Sequence, residues 1–197
     1  MLPVWAILLI LVGCTTLPGR IDNACSMLSE NESWYASTKR TEKKWGVPIH
    51  VQLAIIHQES KFRHDARPPR MHLLGFIPWS RASSAYGYAQ ALDGTWDWYM
   101  EKTGNSGADR DEFEDAVDFI GWYANISNRT LGISKNDAFR QYLAYHEGHG
   151  GYKRGTYKKK KWLVPVARKV QRNANRYQKQ LKTCRNQLES NDGFWFF

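Results

Sequence analysis

The sequence predicts a mainly α-helical domain closed by a long amphipathic helix near its C-terminus. Two observations carry this. Apolar residues recur every three or four positions through much of the chain, and no stretch sustains the apolar/polar alternation of a half-buried strand. At 197 residues there is room for one domain with a proper core, and not comfortably for two. Ser29, with Glu32 three residues on, resembles a capping box opening a helix that ends near Gly46. Pro48 suits the first turn of the next helix, whose apolar residues are Val51, Leu53, Ala54, Ile55 and Ile56. From Arg63 to Ser84, Pro, Arg and Ser predict an irregular loop, and so long a loop in a compact domain is usually functional. Helices are expected over 89–103, 111–128 and 135–147, the second with Phe113, Val117, Ile120 and Ala124 at helical spacing. A Gly-rich, basic turn follows from Gly148 to Lys161. From Pro165 onward, Val166, Val170, Ala174, Tyr177, Leu181, Cys184 and Leu188 form one apolar stripe, with Arg and Lys mostly off it.

The chemistry concentrates at the end of the Pro48 helix. Glu59 lies three residues after Ile56 and four after Ile55, so on a helix it continues their apolar stripe. A carboxyl group held against apolar neighbours is hard to ionise, and its pKa rises. Such a group keeps a proton to give to a leaving oxygen near neutral pH. Three further segments follow in order: Gly87-Tyr88-Ala89-Gln90, Ile120-Gly121-Trp122-Tyr123, and Ala144-Tyr145-His146-Glu147-Gly148.

Together with His57-Gln58-Glu59-Ser60, these segments resemble the soluble lytic transglycosylase-like (SLT) family, which shares its fold with goose-type lysozyme. The resemblance covers roughly residues 45 to 155 and rests on order and spacing. Glu59-Ser60 is similar to the family's Glu-Ser pair, Gly87 to Gln90 to its Gly-Leu-Met-Gln stretch with Thr95 beyond, and Ala144 to Gly148 to its Ala-Tyr-Asn-Ala-Gly segment. The departures are Tyr88 and Ala89 for Leu and Met, His146 and Glu147 for Asn and Ala, and a longer stretch between Glu59 and Gln90. The resemblance implies a lysozyme-like helical domain that cleaves peptidoglycan glycan strands without a cofactor. It implies Glu59 as the catalytic acid, Gln90 and Ser60 as residues that hold the sugar's acetamido group and orient the Glu, and Tyr145 as a hydroxyl near the acid. Ser83 and Tyr88 fall in the stretch where relatives contact substrate.

Residues 1–13 form an apolar run too short to span a bilayer but of signal-peptide size, although no Lys or Arg precedes it. It ends in Leu11-Val12-Gly13-Cys14, which resembles a bacterial lipobox with Cys14 as the lipidated residue. Residues 14–28 then read as a tether, 29–190 as the domain, and 191–197 as an apolar tail. Thr15 follows the Cys in place of an inner-membrane-retaining Asp, so the lipoprotein resemblance implies the periplasmic face of the outer membrane. Of the three cysteines this leaves Cys25 and Cys184, near the two ends of the mature chain. In an oxidising compartment they would either bridge or stand as unrelated thiols, and bridging is the reading taken. No Cys/His cluster has metal-ligand spacing, so no metal is expected; His146 and His149 read as surface histidines. No phosphate-cradling loop or dinucleotide fingerprint is present in the sequence.

Twenty-eight Lys and Arg against 19 Asp and Glu suggest an anionic partner. An exported chain seldom meets nucleic acid, so wall-peptide carboxylates and lipid headgroups are the candidates, with Lys158 to Lys161 as the densest cluster. Aromatic residues make up 14% of the chain, and aromatic faces stack on sugar rings. Trp79, Trp96, Trp98 and Trp122 flank the motifs and are the cleft candidates among them. Three functions compete: a lytic transglycosylase, a lysozyme-like hydrolase using Glu147 or Asp93 as base, and a non-catalytic wall-binding module of an envelope or secretion assembly. Most glycosidases need two carboxyl groups. The motifs offer one, Glu59, which favours the transglycosylase; Glu147 is expected at the surface.

Overall fold

The computed structural model describes residues 19–73 and 77–192. The expected signal peptide, Cys14 and the tail from 193 on lie outside them. The order is α1 (Ala24–Glu30), α2 (Glu32–Trp45), α3 (Ile49–Glu59), β1 (Arg70–Leu73), β2 (Ile77–Arg81), α4 (Asp93–Thr103), α5 (Phe113–Leu131), α6 (Ala138–Arg154), a 3-10 turn (Thr156–Lys159) and α7 (Leu163–Asp192). The mainly α expectation holds. No described helix is long and apolar enough to cross a membrane.

Helix α3 is the centre of the domain. Every residue from Ile49 to His57 is buried, so it is surrounded rather than amphipathic. Helix α7 packs along it, while α5 and α6 approach from other sides. Several of its polar groups find partners within the domain, although the Gln52 and Gln58 Oε1 atoms are buried without one among the described residues. Gln52 Nε2 donates to Thr38 O at 3.1 Å and Val47 O at 2.8 Å. His57 Nδ1 meets the Tyr177 hydroxyl of α7, whose proton goes to Ile21 O. Burial pushes the His57 pKa down to about 4, so it sits there neutral.

The chain start differs from the expected tether. Asn23 caps α1 by accepting from Cys25 N and Ser26 N, while Ser29 Oγ turns back to Ser26 O and opens no helix. Ala24, Met27 and Leu28 are fully buried, so α1 belongs to the domain. Cys25 and Cys184 are bridged, with Cα atoms 6.0 Å apart across a sequence separation of 159. Closing so long a loop stabilises the fold by about 2–4 kcal/mol.

Two further expectations are corrected. The 63–84 stretch is not wholly irregular: β1 and β2 pair antiparallel, with Leu73 opposite Ile77, His72 opposite Pro78 and Arg70 opposite Arg81. Gly148 does not end its helix. It kinks α6 at φ 71° and ψ 157°, and the helix resumes to Arg154. That backbone region is open essentially to glycine alone.

Candidate active site

A cavity of about 400 Å³ opens where α3, α5 and α6 meet the loop before α4. Its lining includes Glu59, Gln90, Phe119, Tyr123, Tyr145 and Glu147. Glu59 is the last residue of α3, so the buried helix delivers its carboxyl to the cavity floor. Burial raises its pKa to about 7, against a hydrogen bond from the Tyr142 hydroxyl and the charge of Lys61, which pull the other way. Near neutrality a substantial share of the molecules therefore keep this proton.

The backbone is unusual at this place. Immediately after the Glu59-Ser60 pair, Lys61 (φ 56°) and Phe62 (φ 61°) are both left-handed, and across the cavity Gln90 (φ 50°) is too. Such residues persist only where the surroundings over-determine them. Phe62 is anchored by burial against Trp34, with ring centroids 5.8 Å apart. Gln90 is held by its own side chain, whose Nε2 donates to Ala66 O at 2.8 Å and Gly87 O at 2.9 Å. With its nitrogen committed, the side chain offers a ligand its Oε1, an acceptor for an N–H. Gly87 is needed in this turn. At φ 73°, an added Cβ would stand 1.9 Å from Arg110 O.

The structure brings together some of the sequence-predicted residues and separates others. Glu59, Gln90 and Tyr145 share the cavity, and the Tyr145 hydroxyl donates across it to Ala89 O. Tyr88 does not: its ring is buried and T-shaped against the stacked pair of Trp34 and Phe113, 5.7 and 5.4 Å away, so it is core. Ser60 is buried at the end of α3, where its hydroxyl reaches back to Ile56 O at 3.4 Å rather than to Glu59. Ser83 is exposed and lines a neighbouring hollow with Arg67, Tyr86, Asp93 and Arg110. Trp96 and Trp122 are core, Trp98 packs against Trp122 at 4.6 Å, and the Trp79 side chain lies outside what is described; among the described residues the cleft draws its aromatic rings from Phe119, Tyr123 and Tyr145.

Glu147 overturns its expected surface position. Its side chain is 2% exposed, and its carboxylate accepts from Lys160 Nζ at 2.6 Å, from His146 Nδ1 at 3.1 Å and from the Thr156 hydroxyl. Burial alone would raise its pKa, but these three donors outweigh that and hold it at about 2. Asp93 points away from the cavity and pairs with Arg110 Nη1 at 2.7 Å. His149 is also not at the surface; it stacks on Tyr123 with centroids 4.3 Å apart. Tyr142 is the residue that sequence reasoning missed. It lies one turn before Tyr145 on α6, and that i, i+3 spacing was the available signal. Among the described residues no group of three or more His, Cys, Asp or Glu could hold a metal ion.

A helical domain presenting one protonatable carboxyl in an aromatic-lined cleft is equipped for acid-catalysed cleavage of a polar substrate. Compared with known families, the chain matches the transglycosylase SLT domain over residues 2–184, and it belongs to that family. The family assigns it a lytic transglycosylase-type function directed at peptidoglycan. No curated relative and no solved structure matches it.

Proposed function

We propose that this protein cleaves the β-1,4 bond between MurNAc and GlcNAc with Glu59 as its single acid–base group. Glu59 gives its proton to the glycosidic oxygen as the C1–O bond breaks, and GlcNAc leaves with a free 4-hydroxyl. The MurNAc C6 hydroxyl closes on C1, and its proton returns to the Glu59 carboxylate. The product is a 1,6-anhydro-MurNAc end; no water is consumed and the enzyme ends as it began. Gln90 Oε1 and the Tyr145 side of the cleft hold the sugar.

The observation that carries this reading is the opposite state of the two cleft carboxyls. Glu59 is poised near neutrality, whereas Glu147 is tied up as an ion pair and is too weak a base to activate water. Mass spectrometry of products from digested peptidoglycan tests it. Anhydro ends, one water lighter than reducing ends, are expected; reducing ends would make the protein a hydrolase.

We further propose that Cys14 carries lipid and holds the domain at the periplasmic face of the outer membrane. The reading is supported by the Leu11-Val12-Gly13-Cys14 pattern and by a bridged cysteine pair suited to an oxidising compartment. A Cys14→Ala variant with export preserved should leave the membrane fraction. Full retention there would reject the anchor.

A further inference from the structure

Two large apolar side chains among the described residues stand in solvent, Leu92 at 47% exposure and Trp162 at 56%. Both border the same cleft. Leu92 lines it directly. Trp162 stands edge-to-face with the lining residue His146, centroids 5.0 Å apart and planes at 80°. His146 in turn lies 6.4 Å from the Tyr142 ring, whose hydroxyl bonds Glu59. A row of rings therefore runs from the buried carboxyl out to an exposed indole.

That indole is held from both sides. Leu163, the next residue, is fully buried at the start of α7. Two residues before the indole, Lys160 gives its ammonium to Glu147, and the backbone between closes through Leu163 N to Lys160 O at 2.9 Å. The same carboxylate takes the Thr156 hydroxyl at the head of the 3-10 turn and the Nδ1–H of His146. A buried charge must be paired to persist. Here the pairing serves no step of the proposed chemistry, but it fixes His146 and the Trp162 segment in one arrangement.

We propose that His146 and Trp162 form an outlying saccharide subsite, where a pyranose ring of a strand seated in the cleft stacks on the indole, and that Glu147 is the positioning residue that presets it. The occupant is the continuing glycan strand, because the rings are continuous with the cleft. The exposed Lys158, Lys159 and Lys161 beside Trp162 in the chain match the anionic character of such strands. A ring fixed before binding loses little freedom on binding, which favours affinity. The inference rests on the glycan reading of the cleft.

The test uses full-length Glu59→Gln protein, titrated by calorimetry with peptide-free glycan strands and with the GlcNAc–MurNAc disaccharide. Adding Trp162→Ala should weaken strand binding about tenfold, the scale of a truncated aromatic anchor. It should leave the disaccharide unaffected, and Trp162→Phe should recover most of the loss. Glu147→Gln should weaken strands similarly, and Trp162→Ala added to it should cost little more. Equal strand affinity with and without the indole overturns the subsite, as does equal weakening of both ligands, which would place Trp162 inside the cleft. Additive losses would remove Glu147 from it. Failure of the Glu59→Gln parent to bind either sugar would overturn the glycan reading and the subsite together.

Discussion

On the α3 side of the cleft, Glu59 ends a helix buried along nearly all its length, and its partner is a neutral phenol, Tyr142. On the α6 side, the Glu147 side chain is 2% exposed but meets an ammonium, a hydroxyl and an imidazole N–H. Desolvation pushes both carboxyls upward, but only at Glu147 do the partners outweigh it. A neutral donor leaves the pKa near 7, and a cationic one with two helpers takes it to about 2. One cavity thus holds a carboxyl that keeps its proton near neutrality and another that keeps its charge.

The largest expected effect breaks the comparison on the Glu59 side. Glu59→Gln keeps the shape and the Tyr142 bond but has no proton to give, so lysis should fall by at least the roughly 10²–10⁴-fold typical of general acid–base catalysis. Turbidity loss of purified sacculi measures it, and near-normal turnover by the folded variant would sink the assignment.

Stability sharpens the comparison with opposite signs. A raised carboxyl pKa favours folding below the unfolded value and loses that advantage as pH rises through about 7. Above that pH the native protein carries an ionised, desolvated Glu59, and Glu59→Gln should be more stable by roughly 2–3 kcal/mol at about pH 8, with the difference gone near pH 4. Glu147 contributes in the other direction, its stabilisation full above the unfolded value and lost as pH falls through about 2. Glu147→Gln should therefore be less stable at about pH 8 by roughly 1–3 kcal/mol. Urea denaturation at the two pH values reads both. Two variants shifted in the same direction would contradict the distinction drawn between the carboxyls.

These partners explain what the sequence disclosed. Glu59 was legible because Ile55 and Ile56 on its own helix announce it, although its partner Tyr142 and the cavity around it come from other helices. Glu147 was not, because Lys160 is thirteen residues away and faces it only after the Gly148 kink and the 3-10 turn fold back. Tyr88 failed for a related reason. Motif order places its backbone beside the cleft, but only packing shows that the ring turns inward to Trp34 and Phe113. The helices were read well because their stripes repeat. Strands β1 and β2, four and five residues long, are too short to show a period, and α1 is a seven-residue helix capped by Asn23 that contains Ser29, the residue read as opening the next helix.

Gly148 offers a smaller perturbation of the α6 side. A Cβ there would meet nothing within 4 Å, so Gly148→Ala acts through φ 71° and ψ 157° alone. The strain should cost about 1–3 kcal/mol or straighten α6, in either case moving Glu147 and His146. Lower urea midpoints with reduced activity are expected; a variant with both unchanged would show that the kink is not required.

The finest distinction concerns Tyr142. Its hydroxyl bond favours ionised Glu59 and so opposes the effect of burial. Tyr142→Phe keeps the ring, and with it the contact to His146, but removes that bond. Burial then acts with less opposition, the Glu59 pKa rises, and the acid survives to higher pH. In the native enzyme kcat/KM should fall about tenfold per pH unit above the Glu59 pKa. In Tyr142→Phe that descending limb should move to higher pH, with stability changed by only about 1 kcal/mol. A limb that moves down instead would mean that the titrating acid is not the carboxyl Tyr142 touches, and the contrast between a neutral and a charged partner would no longer explain the cleft.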